Sequence, residues 1–222
     1  MTIALGINFG NYVLLAADTR TVFFNWTKRM IGYTDNSVKI QKTSFGLITG
    51  AGRMELLGHV KTRLEKETIT NTDRIYEIIE EERLNFTKVP AITENDVVLT
   101  GWIYSYKTIL NDAPKLRLDV VHPSLADGLV RWKENKAASI CPYEAIKEEV
   151  DEIIATLNKA IRPSTEFATV EESCQYHGQI ISKLIREIQP KYPSVSRCYQ
   201  IGVHKLDGSM GISPIIKIDE SL

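Results

Sequence analysis

Cysteine is scarce in this chain: Cys141, Cys174 and Cys198 are an odd number of widely spaced thiols. They compose neither a disulfide framework nor a zinc-ligand pattern, and they read as reduced thiols in or beside the core. Charge of one sign is absent too, because 27 basic and 28 acidic side chains leave a net charge of −1. That balance excludes the basic footprint of a nucleic-acid or membrane-surface protein. No apolar run approaches the ~18–20 residues of a transmembrane helix. The chain start lacks the basic region and apolar stretch of a signal peptide. These absences point to the cytoplasm, with neither nucleic acid nor membrane as partner. No phosphate-cradling glycine loop is present, and His59, His122, His177 and His204 are scattered without a metal-ligand spacing, so no cofactor is expected.

What is present is ordinary in bulk, and 222 residues with 43% hydrophobic and 25% charged content suit one domain spanning 1–222. The informative stretch is the first twenty residues. Ile3 to Ile7 and Tyr12 to Ala17 read as two strands, with Asn8, Gly10 and Asn11 supplying turn chemistry between them. A core strand starting at residue two is unusual, because chain ends fray unless tied into a sheet. Removal of Met1 would leave Thr2 with a hydroxyl and a free α-amine on one residue. Such an amine titrates at about 7.7–8.0, near enough to neutrality to serve as base for its own hydroxyl. Taken alone, a second-position threonine that starts a strand implies no chemistry.

Along the rest of the chain, Thr21 to Asn36 reads as a polar excursion with short extended pieces. Ser37 to Gln41 and Phe45 to Thr49 read as a strand pair. The recurrence of Met54, Leu57, Val60 and Leu64 predicts a helix from Arg53 to about Glu67. A second helix follows Thr72, its predicted N-cap, with Ile75, Ile78 and Ile79 inward. Val97 to Tyr104 and Leu116 to Val121 read as strands around an Asn111–Pro114 turn, and Leu129 to Trp132 and Ala137 to Cys141 as shorter ones. Helical period returns from Ala145 to Ile161 and from Val170 to Gln189, the latter stopped by Pro190 and Pro193. Strands at Cys198 to His204 and Ile212 to Ile218 close the chain. Separate blocks of strands and helices indicate an α+β domain.

The run from Thr2 to Leu5, with Val13-Leu-Leu-Ala-Ala-Asp18-Thr-Arg20, resembles the mature start of proteasome β-subunits and related bacterial peptidases. These are N-terminal-nucleophile hydrolases, and Ser37–Ile40 and Phe45–Gly52 extend the resemblance. It covers roughly the first quarter of the chain, and beyond that only the order of elements agrees. The resemblance implies a four-layer αββα sandwich, two stacked antiparallel sheets between helix pairs. It implies Thr2 as nucleophile, Lys39 as the cation beside it, Asp18 as counter-ion of that lysine and Gly50 as the oxyanion N–H donor. Arg20 would be structural. Thr21, Ile48, Gly52 and Leu56 would border an apolar pocket for the substrate residue before the cut bond. It implies unfolded peptide or protein as substrate and a self-compartmentalising homo-oligomer (a ring or helical stack), either fed by an ATP-dependent unfoldase or receiving peptides already unfolded.

The sequence also departs from that pattern. Ser139-Ile-Cys-Pro-Tyr143 stands where a Gly-Ser-Gly turn is usual, and Tyr192–Arg197 lacks the expected aspartate and glycines. Ser139, Ser194 and Ser196 are the available substitutes. Besides a threonine peptidase, the residues are therefore compatible with a catalytically impaired assembly or peptide-binding subunit, or with a small-molecule amidase.

Overall fold

A computed structural model describes residues 2–25, 27, 29–69, 71–90, 92–125, 127–142 and 145–218. Met1, whose removal the resemblance implies, and Tyr143 lie outside the described residues. The protein is a mixed α+β structure whose strands pair antiparallel throughout.

Two strands at the chain start, β1 (Ala4–Asn8) and β2 (Tyr12–Asp18), form the hairpin at the centre of the larger sheet. Gly10 takes φ 85° in its turn, where a side chain would be strained, and donates its N–H to Asn8 Oδ1 at 2.9 Å. After the hairpin come β3 (Thr21–Phe24) and β4 (Met30–Thr34), an exposed two-stranded ribbon, then β5 (Gln41–Lys42) and β6 (Leu47–Ala51). Helices α1 (Met54–Lys66), α2 (Asp73–Phe86) and the short α3 (Glu94–Val98) follow. Strands β7 (Gly101–Leu110), β8 (Ala113–Val121), β9 (Leu129–Arg131) and β10 (Ala137–Ile140) precede α4 (Lys147–Ala160) and α5 (Val170–Ile188). The chain ends in β11 (Cys198–Lys205), β12 (Met210–Ile212) and β13 (Ile216–Lys217).

One sheet runs β10-β1-β2-β11-β12, with β13 also on β11, and the other runs β5-β6-β7-β8-β9. Period-two alternation sends the side chains of β1 and β2 into two different clusters. Leu5, Ile7, Tyr12, Leu14 and Ala16 pack with Ile181, Leu184 and Ile185 of α5. Ala4, Val13, Leu15 and Ala17 pack instead with Ile103 of β7 and Leu118 and Val120 of β8. Both faces of the hairpin are thus buried, which is why its strands read as unbroken apolar runs. A third cluster joins Ile48, Trp102 and Tyr104 to Leu56, Val60 and Leu64 of α1 and Ile75, Ile78 and Ile79 of α2.

Several boundaries differ from the sequence reading. Val97 and Val98 belong to α3, because Thr93 and Asp96 cap it reciprocally: Thr93 N–H donates to Asp96 Oδ2 at 2.9 Å and Asp96 N–H to Thr93 Oγ1 at 3.4 Å. The strand starts only at Gly101. In α1 the buried stripe is Leu56, Val60 and Leu64, one step round from the expected Met54–Leu57 face, and Met54 is exposed. Thr72 makes no side-chain cap for α2, and Asn71 Oδ1 takes the Asp73 N–H at 3.0 Å in its place. The expected strand Ser37–Gln41 shrinks to Gln41–Lys42, because Ser37 N–H turns back to the Thr19 carbonyl at 3.1 Å. The last expected strand is split at Ser213-Pro214, where Ser213 Oγ takes the Ile201 N–H at 3.0 Å.

Candidate active site

Three of the four expected site residues meet at the open end of the central hairpin. Ile3 N–H donates to Asp18 Oδ1 at 3.0 Å, and Asp18 N–H to the Ile3 carbonyl at 3.2 Å, so the start of β1 is clamped to the end of β2. Thr2 is thereby buried beside Asp18. Lys39 arrives from the segment before β5, and its Nζ donates to Thr2 Oγ1, to the Arg20 carbonyl, and to Asp18 Oδ1 at 3.2 Å. The lysine side chain is 11% exposed and the aspartate fully buried. Burial pushes the Asp18 carboxyl up and the Lys39 ammonium down, and the attraction between the two opposes both shifts. Asp18 Oδ2 also accepts the N–H groups of Arg20 at 2.9 Å and Ser196 at 3.0 Å, and these bonds likewise favour its charged form. A carboxylate with three backbone donors and an ammonium partner satisfies the requirement for keeping charge in a core.

Gly50 lies on β6, opposite Trp102 of β7. The β5–β6 ladder pairs Gln41 with Ile48 and Lys42 with Leu47. A Cβ at Gly50 would sit 2.5 Å from the Gly101 carbonyl oxygen and 2.7 Å from Leu57 Cδ2, so only glycine fits. Thr2, Lys39 and Gly50 all border one cavity of about 560 Å³.

The lining of that cavity departs from the expected apolar pocket. Thr21 and Gly52 border it, as expected, whereas Ile48 and Leu56 are fully buried in the cluster beneath α1 and α2. The one-step rotation of α1 accounts for this, turning Met54, Leu57, Gly58 and Lys61 to the cavity in place of Leu56. Ribbon β3 supplies Val22, Phe23 and Phe24 on another side.

The substitutes for the missing serine and aspartate segments behave differently from one another. Ser139 pairs with Leu5 inside the sheet, and its hydroxyl contacts Cys141 Sγ at 3.5 Å. Ser196 contributes through its backbone N–H to Asp18, while its Oγ takes the Cys198 N–H at 2.9 Å. Sequence reasoning missed Asp35 altogether. Arg20 holds it with Nε to Oδ1 at 2.7 Å and Nη2 to Oδ2 at 2.8 Å, and a third donor reaches the Pro193 carbonyl at 2.6 Å. Hydrogen bonds from Arg20 keep the Asp35 carboxyl below its ordinary range. Lys61 was missed as well. Its Nζ donates to the Lys39 carbonyl, and burial followed by repulsion from Lys39 lowers it to about 8. The only available signal was a lysine seven residues after Met54 on the same helical face.

No model of a known protein family matches this chain, and no curated protein matches it. Among solved structures it is similar to Anbu from Hyphomicrobium sp. strain MC1 (13% identity, 99% of this chain and 88% of that one, TM-score 0.63). It is also similar to a Gly-1 mutant of Anbu from the same strain (12% identity, 100% and 88%, TM-score 0.63). The likeness is one of fold. It supports a fold like that of Anbu, at a distance too great to carry activity. The resemblance to proteasome β-subunits read from the chain start is corrected accordingly. No family model supports membership, and a shared Ala-Asp-x-Arg run places residues without establishing descent or chemistry.

Proposed function

We propose that this protein is a threonine-type amidohydrolase acting on peptide bonds, with Thr2 as nucleophile once Met1 is removed. The observation that carries the reading is a single one: the Lys39 ammonium donates at once to Thr2 Oγ1 and to buried Asp18. In this mechanism the α-amine of Thr2 takes the hydroxyl proton as Oγ1 attacks the amide carbonyl. The amine then passes that proton to the leaving nitrogen, and water hydrolyses the resulting ester. Lys39 stabilises the developing Thr2 alkoxide, and its nearby charge keeps the α-amine unprotonated. Asp18 holds Lys39 in place, and the Gly50 N–H is the donor for the tetrahedral oxyanion.

The reading has architectural companions. The three apolar clusters fit an order of helix pair, sheet, sheet, helix pair within one domain, which leaves Thr2, just ahead of β1, beside the cavity at the open end of the central hairpin. A cytoplasmic homo-oligomer receiving unfolded peptide, directly or from an ATP-driven unfoldase, would give that cavity its substrate.

Treatment with an epoxyketone or β-lactone peptide, followed by intact-mass and peptide mass spectrometry, tests the reading. One adduct on Thr2 in protein beginning at residue two, absent in Thr2→Ala, is the expected result. No adduct on protein with that confirmed terminus would overturn it. A catalytically impaired, peptide-binding role is the second reading, and the contact of the Ser139 hydroxyl with Cys141 Sγ is what favours it.

A further inference from the structure

Helix α1 turns one face to the cavity beside Thr2, and that face carries Met54, Leu57, Gly58 and Lys61. The spacing of three, four and seven residues is that of one helical stripe. A Cβ at Gly58 would meet nothing within 4 Å, so the stripe looks into open space.

The charges around the cavity are unevenly paired. Glu55 and Asp96 border it, but both lie with Arg53, at 2.9 and 3.8 Å. Lys39 has Asp18 at 3.2 Å. Lys61 has no carboxylate within ion-pairing distance among the described residues, and its one protein acceptor is the Lys39 carbonyl. An ammonium carries three donors. Two of them therefore remain for whatever enters the cavity. The depressed proton affinity of Lys61, about 8, reflects burial together with a like-charged neighbour and no compensating anion. A half-buried cation in that state gains most from an incoming carboxylate, which returns the attraction the protein does not supply.

We propose that Lys61 is the specificity-determining residue of this cavity and selects peptides that place a glutamate or aspartate side chain beside Thr2. The inference rests on the reading of the cavity as a peptide site and replaces the expected apolar preference. Lys61 makes no bond to the reacting atoms and acts on which substrate is seated. Met54 and Leu57 supply the apolar contact for the methylenes of the acidic side chain, and Lys61 receives its end.

The test measures non-covalent binding, so it does not depend on Thr2 chemistry. Fluorescent peptide amides ending in Glu, Gln, Leu or Lys are titrated by polarisation against the full chain and against Thr2→Ala, Lys61→Met and Lys61→Glu. The Glu peptide is expected to bind about tenfold more tightly than its Gln counterpart to both the full chain and Thr2→Ala, a preference that weakens as salt rises. Lys61→Met should bring that ratio to about one, and Lys61→Glu should favour the Lys peptide. A Glu-to-Gln ratio near one on the full chain would overturn the inference, as would a ratio unchanged by Lys61→Met or no binding by any peptide. Should either variant fail to fold, the full-chain ratio and Lys61→Gln decide. Selective binding without a Thr2 adduct would sink the hydrolase reading alone, and an adduct without selectivity would sink only this one.

Discussion

Arg20 and Asp35 meet through two parallel hydrogen bonds, at 2.7 and 2.8 Å, just after β2 and just after β4. The pair closes the loop made by ribbon β3–β4, and it fixes the base of the segment that carries Lys39 back across the chain start. The Arg20 guanidinium also lies over the Tyr33 ring, 3.8 Å from its centroid. A planar fork and a stacked face are properties that lysine lacks. Arg20→Lys should therefore lower stability by about 1–3 kcal/mol. Denaturant titration measures that loss, and an unchanged midpoint would show that the pair does not hold the segment.

Asp18 is fully buried, and its removal leaves the Lys39 ammonium without its partner. Asp18→Asn should cost about 3–5 kcal/mol, the usual loss when one half of a buried ion pair is removed. The double variant Asp18→Asn, Lys39→Met should recover part of that loss, because no uncompensated charge remains. Equal destabilisation in the single and double variants would argue that the backbone bonds to Asp18, not its charge, hold the chain start.

Thr2 is the proposed nucleophile, and Thr2→Ala should lower peptide turnover by at least about 10³-fold with little change in melting temperature. Thr2→Ser keeps a hydroxyl and an amine and should retain measurable turnover. Both are read with a fluorogenic peptide after the terminus is confirmed by mass spectrometry.

At Gly50, an added methyl would meet the Gly101 carbonyl at 2.5 Å. Gly50→Ala should destabilise by about 1–3 kcal/mol, as overpacking against backbone does. An alanine accommodated without loss in thermal unfolding would show that β6 and β7 can separate there.

Lys61 gives a pH signature with a definite sign. Its folded-state value is about 8, below its ordinary 10.5. Between those values the unfolded chain holds a proton that the folded chain has lost, so stability attributable to Lys61 rises with pH across that window. Below pH 8 the cost of burying the charge is fully present. Lys61→Met should therefore be more stable than the natural chain at pH 7 by about 1–3 kcal/mol, with the difference shrinking towards pH 10. Paired urea titrations at the two pH values check this, and a constant difference would refute it.

The hairpin at the chain start was legible because unbroken apolar runs and turn chemistry are local signals. Ile3 to Ile7 and Tyr12 to Ala17 have burial on both faces written into every residue. Helices α2 and α5 were legible for the same reason, their apolar positions recurring at helical spacing. Thr2, Asp18 and Lys39 could be named only by likeness to known proteins, and Gly50 on the same ground. No local pattern states that residue 39 returns to residue 2.

What only tertiary structure decided is where non-local partners fall. Asp35 is an ordinary acidic residue until Arg20 meets it, and Ser196 serves through a backbone N–H that sequence does not distinguish from any other. Lys61 reads as a solvated lysine on an amphipathic helix until α1 rotates one step, buries Leu56, and turns that lysine to the cavity beside Thr2. Periodicity along a chain determines which faces are apolar. The rotation of a helix against a sheet, and the charges it leaves unpaired, are determined by packing between segments far apart in sequence.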